Sequence, residues 1–267
     1  MKEQLRIFLI ALQFYTRVPV TGRIGQWILY TPERLARSVR YFTVIGSAVG
    51  CFCAAVYGLA LLLWPPVVAA LLSTAAGVLL TGAFHEDGWA DFCDGFGSYS
   101  SRSRTLEVMT DSRIGSYAGI GLVLMLGTKI AALAAMPPPL AIAALIAIHP
   151  LSRGFAVLIM AVLPYAKPDD DSKAKPIAQG VELSDMIIAI ACALAACVGG
   201  LIAIDMTVLV AKLGIAFALM GLAWLALRYL MQKRLQGYTG DTLGATQQLC
   251  EVAGYLGFAA TWSVALR

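Results

Sequence analysis

The sequence predicts an all-α, polytopic integral membrane bundle, and three observations predict it. Hydrophobic residues fill 59% of the 267 positions and charged residues only 13%, against roughly 25% charged in soluble domains. Mean hydropathy is +0.76. Seven stretches, near 41–64, 66–84, 114–136, 139–163, 186–204, 208–231 and 245–266, approach the roughly 20 apolar residues needed to cross a hydrocarbon core of about 30 Å. The expectation is a single domain over 1–267 with about seven transmembrane helices.

Ahead of the first stretch, MKEQLRIFLIALQFYTRVPV has a basic start, but its apolar run is only about ten residues and no small-residue cleavage site follows. It reads as an interfacial helix and not as a signal peptide.

The links between the apolar stretches alternate in character. WPP, MPPP and the turn at Ile204–Asp205 are short and nearly uncharged, whereas 1–40, 85–113, 164–185 and 232–244 are longer and polar. Those four regions, with Arg228 at the edge of the last, hold 16 of the chain's 20 lysines and arginines, which places them on the cytoplasmic side by the positive-inside rule. They also hold 14 of the 16 acidic residues, a crowding that rule does not require. One-sided polarity favours chemistry at the cytoplasmic surface of the membrane over a transport path through it. Within these links KPDDDSKAKP, 167–176, reads as a solvated linker.

Net charge is +4 with a pI near 8.7, a mild excess that cytoplasmic lysines and arginines explain without a nucleic-acid partner. The six cysteines never form a CxxC pair and lie mostly in apolar runs, so they read as buried thiols and not as a disulfide framework or zinc site.

Three polar motifs carry the chemistry. HEDGWADFCDGFG, 85–97, follows the second apolar stretch directly. Its Asp87, Asp91 and Asp94 are spaced i, i+4, i+7, within about 60° of one another on a helix. Three such carboxylates repel, and a divalent cation resolves the conflict. All-oxygen ligands point to Mg²⁺ or Mn²⁺, which complete their shell with water and substrate phosphate. Gly88, Gly95 and Gly97 leave room for a bulky ligand beside the stripe. Glu86 falls off the stripe by about 100°, and His85 lies nearly opposite it as a structural hydrogen-bonding group.

The second motif, EVMTDSRIGSYAG, 107–119, offers Asp111 or Ser112 as the cap of the next helix. Arg113 with Gly115 and Ser116 makes a ready phosphate site at that helix N-terminus. The third, GYTGDTLGATQQLCE, 237–251, has no lysine after its glycines and so is not a P-loop. Thr239 and Gly240 are its phosphate-binding candidates, and Asp241, Gly244, Gln248, Glu251 and Tyr255 form a polar stripe along its helix. Glu251 lies about 15 Å along the axis from Asp241, deep enough to be either functional or the partner of an intramembrane cation. Lys129, His149 and Arg153 are the cationic candidates inside apolar segments. Arg153 must face the interior and meet an anion, either Glu251 or a substrate phosphate, while Lys212 snorkels to an interface.

Carboxylates with a metal, arginines and glycine-rich turns make an apparatus for phosphoryl transfer. Read from the residues alone, the chain is a membrane-embedded, Mg²⁺-dependent phosphotransferase of unnamed substrate.

HEDGWADFCDGFG after LLTG, RTLEVMTDSRIGSYAG and GYTGDTLGATQQLCEV, with FYTRVPV, YFTVIG and HPLSRG, resemble the cobalamin synthase family, the adenosylcobinamide-GDP ribazoletransferases. The resemblance runs over nearly the whole chain. It implies attack of the 5′-hydroxyl of α-ribazole, or of its 5′-phosphate, on the cobinamide-linked phosphate of adenosylcobinamide-GDP, with GMP leaving and Mg²⁺ as cofactor. Carried over by motif, the family's acidic and basic residues fall on Asp87, Asp91, Asp94, Asp111, Arg113, Asp241 and Glu251. The expected roles are metal ligation by Asp87, Asp91 and Asp94, catalysis by Asp241, Glu251 and Asp111, and phosphate binding by Arg113, Arg153, Gly240 and Thr239. The lipid bilayer is the one macromolecular partner the sequence requires; a homo-oligomer or association with other enzymes of the same pathway stays open. Glu86 departs from the family, which usually has an apolar residue there. A CDP-alcohol phosphatidyltransferase also uses an aspartate stripe, but it wants DGxxAR, and Asp91 stands at the arginine position. An ion-coupled transporter using Lys129, Arg153 and Glu251 is the alternative from another class.

Overall fold

The computed structural model describes residues 2–98, 101–167, 181–199 and 204–261. Most of the 167–176 linker and the ends of the 186–204 and 245–266 stretches therefore lie outside the described residues. Among the described residues all regular structure is helical, apart from an isolated parallel bridge between Tyr165 and Tyr238.

Helix α1 (Lys2–Tyr15) buries Ile7, Ile10, Ala11 and Tyr15, the one-sided apolar face of a helix that lies on a bundle. Short helices α2 (Gly22–Ile28) and α3 (Pro32–Arg37) follow. Thr31 caps α3 by accepting from the Arg34 N–H at 3.2 Å, with Pro32 at the first helical position. A 3₁₀ turn (Ser38–Tyr41) then runs into α4 (Phe42–Ala60).

Helix α5 (Pro66–Thr81) ends because Gly82 and Ala83 are both left-handed, with φ of +68° and +58°. The chain turns by 92° there into α6 (Phe84–Gly97), which carries the first motif. Helix α7 (Arg102–Val108) is capped by Ser101 and leads to α8 (Ser116–Ala135). Helix α9 (Pro138–Val162) is 78% buried over its apolar window and, with the last helix, α12 (Gly240–Ala259), forms the centre of the bundle. Around them stand α4, α6, α8, α10 (Leu183–Cys197) and α11 (Met206–Arg234). A buried pair between Arg40, in the 3₁₀ turn, and Asp185 ties the N-terminal helices to α10.

Each of the seven apolar stretches contains a helix, but they are not equivalent. Four spans, 32–60, 116–135, 138–162 and 206–234, are long and apolar enough to cross a membrane, or five if the bent α5–α6 pair is one span. Helix α10 is short, and α12 carries Asp241, Gln247, Gln248 and Glu251 along a mostly buried length. The chain is thus an all-helical membrane protein in which one polar helix is shielded by its neighbours from lipid.

Candidate active site

Helix α6 crosses the start of α12 at close range. A Cβ placed on Gly88 would sit 2.7 Å from the Asp241 carbonyl oxygen, and one on Gly244 would sit 3.3 Å from the carbonyl of His85. Here the glycines serve helix contact and not ligand access. The same holds for Gly95, whose missing side chain is replaced by Met109, and for Gly97, covered by Tyr117. The space left by Gly88, Gly95 and Gly97 is filled by protein.

On α6, Asp87 is exposed while Asp91 and Asp94 are half-buried. The three line a pocket of about 430 Å³ whose far wall is Thr110, Asp111, Ser112 and Arg113, so the first and second motifs face each other. No residue of the third motif lines this pocket, but Asp241 lies near enough for its charge to act on Asp91. Burial, then the nearby charges of Asp241, Asp87 and Asp94, push the Asp91 carboxyl up to about 7.

Asp94 has a further engagement. Its two carboxylate oxygens accept from the backbone N–H of Gly115 at 2.7 Å and of Ala118 at 2.9 Å. It therefore caps α8 from another helix, the part expected of Asp111 or Ser112. Asp111 is instead turned to Arg113, accepting from its backbone N–H at 3.1 Å and from its guanidinium at 2.5–3.1 Å. That pairing holds the Asp111 carboxyl down at about 2. Arg113 is 88% exposed at the pocket rim.

Thr239 is buried in a capping box: its hydroxyl accepts from the Thr242 N–H at 3.3 Å and donates to Asp241 Oδ2 at 3.5 Å, and the Thr239 N–H donates to the Thr242 hydroxyl at 2.9 Å. Gly240 opens α12 directly before Asp241.

Arg153 and Glu251 are not brought to the acidic pocket. Glu251 is 2% exposed and pairs with Lys129 Nζ at 2.8 Å and His149 Nδ1 at 3.3 Å, and Gln247 donates to it at 2.5 Å. Arg153, also 2% exposed, donates to the His149 carbonyl at 2.9 Å and lies 5.5 Å over the Phe42 ring. These groups line an interior cavity with room for one or two waters. Lys212, expected to reach an interface, donates to the Ala260 carbonyl at the end of α12 at 2.6 Å.

Gln248 joins the two regions. It accepts from Lys129 at 2.9 Å and donates to Glu86 at 2.8 Å, and Glu86 lines both the interior cavity and the acidic pocket. From the sequence Gln248 was one member of a polar stripe and Glu86 an off-stripe residue. That Glu86 is 8% exposed follows from the α6–α12 crossing, which helix spacing alone does not reveal.

Among the described residues no group of three or more His, Cys, Asp or Glu side chains is arranged to hold a metal ion by itself. Asp87 and Asp91, which share the pocket, offer the oxygen-only chemistry that Mg²⁺ takes when water and a substrate phosphate complete its shell.

A family model described as cobalamin-5-phosphate synthase matches residues 7–259. A protein of Leptothrix cholodnii named adenosylcobinamide-GDP ribazoletransferase is 47% identical over 263 residues, covering 97% of this chain and 96% of its own. Proteins of the same name from a Polaromonas species and from Shewanella frigidimarina are 41% and 42% identical, covering 96% and 95% of this chain and 96% and 94% of their own. No solved structure matches the chain.

Proposed function

The chain belongs to the cobalamin-5-phosphate synthase family, and from that premise we propose that it is an adenosylcobinamide-GDP ribazoletransferase working with Mg²⁺ at the cytoplasmic face of a bacterial inner membrane. The observation that carries the site assignment is that the first two motifs face each other across one acidic pocket, with Asp241 of the third close enough to act on Asp91, whose carboxyl is raised by burial and then by Asp241, Asp87 and Asp94. A site that crowds carboxylates beside an arginine is built to receive a cation together with a phosphate.

In this reading Asp87 and Asp91 would hold Mg²⁺, with water and substrate phosphate completing its shell. When bound, the ion neutralises the diphosphate oxygens and stabilises charge developing toward the leaving group. Arg113 at the rim binds phosphate. Asp94 fixes the pocket wall through Gly115 and Ala118. Asp241 accepts the proton of the α-ribazole 5′-hydroxyl as that oxygen bonds to the cobinamide-linked phosphorus and the bond to the GMP oxygen breaks. Glu251 and Arg153 act at a distance, as part of the buried ion cluster that sets α12 against α8 and α9.

The test incubates membranes holding the protein with adenosylcobinamide-GDP, α-ribazole and Mg²⁺, and follows GMP and the cobalamin product by mass. Loss of both products in Asp87→Ala and Asp91→Ala is the expected result. Near-normal turnover in either variant contradicts the metal assignment, and an absence of product from the unaltered protein contradicts the reaction.

A further inference from the structure

Beside the α6–α12 crossing lies a second cavity of different character. Its wall is almost wholly apolar, built from Phe14 and Tyr15 of α1, Phe42 of α4, Phe84 of α6, and Tyr165 and Tyr238 of the bridged segments. The rings form a connected shell: Phe14 meets Phe84 at 5.5 Å, Tyr15 meets Phe42 at 4.4 Å, and Phe42 stacks on His85 at 5.8 Å with 20° between planes. Among the described wall residues, His85 Nε2 is the one buried side-chain polar atom with no partner, on a residue only 2% exposed. An unpaired buried nitrogen costs free energy; His85 also borders the interior ion cavity, and a small turn of its ring would bring Nε2 to a ligand atom in the apolar one.

Size and position narrow the ligand. The cavity has room for about 50 Å³ of water centres; extended by a water radius of about 1.4 Å, that is a void on the order of 200 Å³. Two fused rings fit such a void and a corrin does not. Gly240 lines the cavity, and the next residue, Asp241, lies with its backbone against Gly88 of the acidic helix. A ring seated here places its sugar at the start of α12, between the two pockets.

We propose that this aromatic cavity binds the benzimidazole ring of the ribazole substrate, with His85 Nε2 paired to the ring's free nitrogen. The inference rests on the ribazoletransferase reading above. Guanine and the adenine of the adenosyl group are the other flat heterocycles of the reaction, but their edges carry several donors and acceptors. One unpaired nitrogen in an apolar wall would leave most of them unsatisfied, a strong ground for rejection. A benzimidazole riboside presents one free nitrogen and otherwise apolar edges, which matches the wall.

The test is equilibrium dialysis of the full-length protein in lipid nanodiscs against three probes. They are α-ribazole, GMP, and the indole analogue of α-ribazole, in which CH replaces the free nitrogen. The analogue is expected to bind at least tenfold more weakly than α-ribazole. Met160→Trp, which fills the cavity from α9, is expected to weaken α-ribazole at least tenfold while GMP binding changes less than twofold. GMP binding also reports that the variant is folded; should it not fold, the comparison of α-ribazole with its analogue on the unaltered chain decides. Equal binding of the two, α-ribazole binding untouched by a folded Met160→Trp, or loss of GMP in place of α-ribazole overturns the proposal. If the unaltered protein binds α-ribazole with this preference yet releases no GMP from adenosylcobinamide-GDP, the cavity assignment stands and the reaction reading falls.

Discussion

Asp241 lies against Gly88 so closely that a Cβ on that glycine would stand 2.7 Å from the Asp241 carbonyl oxygen and 3.1 Å from its Cα. The contact is backbone to backbone, so no flexible side chain can give way. Gly88→Ala is therefore expected to push α12 off α6 and to cost about 1–3 kcal/mol of stability, the usual penalty for overpacking. Because the shift moves Asp241 away from Asp91, turnover should fall more than tenfold even at temperatures where the protein stays folded. Thermal unfolding with GMP release on the same preparation checks both.

The raised Asp91 carboxyl makes a pH prediction. Its folded pKa of about 7 lies above the ordinary carboxylate value, through burial first and then Asp241, Asp87 and Asp94. Below about pH 4 Asp91 is protonated in both folded and unfolded chains and has no effect. Between there and pH 7 the folded chain holds the extra proton, so stability falls as pH rises, then levels off. A cation that joins the carboxylates offsets this repulsion. Stabilisation by Mg²⁺ in thermal melts should therefore be greater at pH 8 than at pH 6, and Asp91→Asn should remove most of that difference. Equal stabilisation at both values would contradict the assignment.

The buried pair of Lys129 and Glu251, 2.8 Å apart, predicts a non-additive pattern. Glu251→Ala leaves Lys129 buried without its counter-charge, which typically costs about 3–5 kcal/mol. Replacing both together, as Lys129→Met with Glu251→Leu, should cost less than Glu251→Ala alone. Unfolding of the single and double variants in detergent measures the coupling. A Glu251→Ala protein as stable as the parent would show that the pair adds nothing to folding.

The Gly82–Ala83 elbow predicts a stabilising change. Ala83 has φ of +58°, a left-handed conformation that costs a non-glycine residue roughly 1–2 kcal/mol. Ala83→Gly is expected to raise the unfolding temperature by a few degrees, whereas Gly82→Ala should lower it, because φ is +68° there and the Arg17 side chain occupies the space. The parent and the two variants in one melting series decide the sign.

These positions also show how far the sequence could be read. The i, i+4, i+7 spacing of Asp87, Asp91 and Asp94 needs only helix geometry, and α6 is that helix. The apolar stretches are legible because the bilayer imposes their length. Tertiary events were not legible. Two successive left-handed residues turn α5 into α6 by 92°, and no local pattern marks Ala83 for that role. Nor does anything near Ile114 in the chain announce that the cap of α8 arrives from Asp94, 21 residues before Gly115. Glu251 could be narrowed to two readings; choosing its partner Lys129 required the packing of α8 on α12.

Asp94 gives the sharpest separation of roles within the stripe. Both its oxygens accept backbone N–H groups of α8, at 2.7 and 2.9 Å, and a carboxylate at a helix N-terminus gains from the dipole as well as from these bonds. Asp94→Asn loses the charge and one of the two acceptors, which should cost about 1 kcal/mol and loosen the Arg113 loop. Asp87 is exposed on the same face, so Asp87→Asn should leave stability within about 0.5 kcal/mol. The two variants should then part in kinetics. Asp87→Asn raises the Mg²⁺ concentration for half-maximal GMP release. Asp94→Asn lowers turnover and melting temperature together, with a smaller change in Mg²⁺ dependence. If instead Asp94→Asn shifted the Mg²⁺ requirement as strongly as Asp87→Asn at unchanged stability, its main role would be ligation, and the cap seen on α8 would be incidental to it.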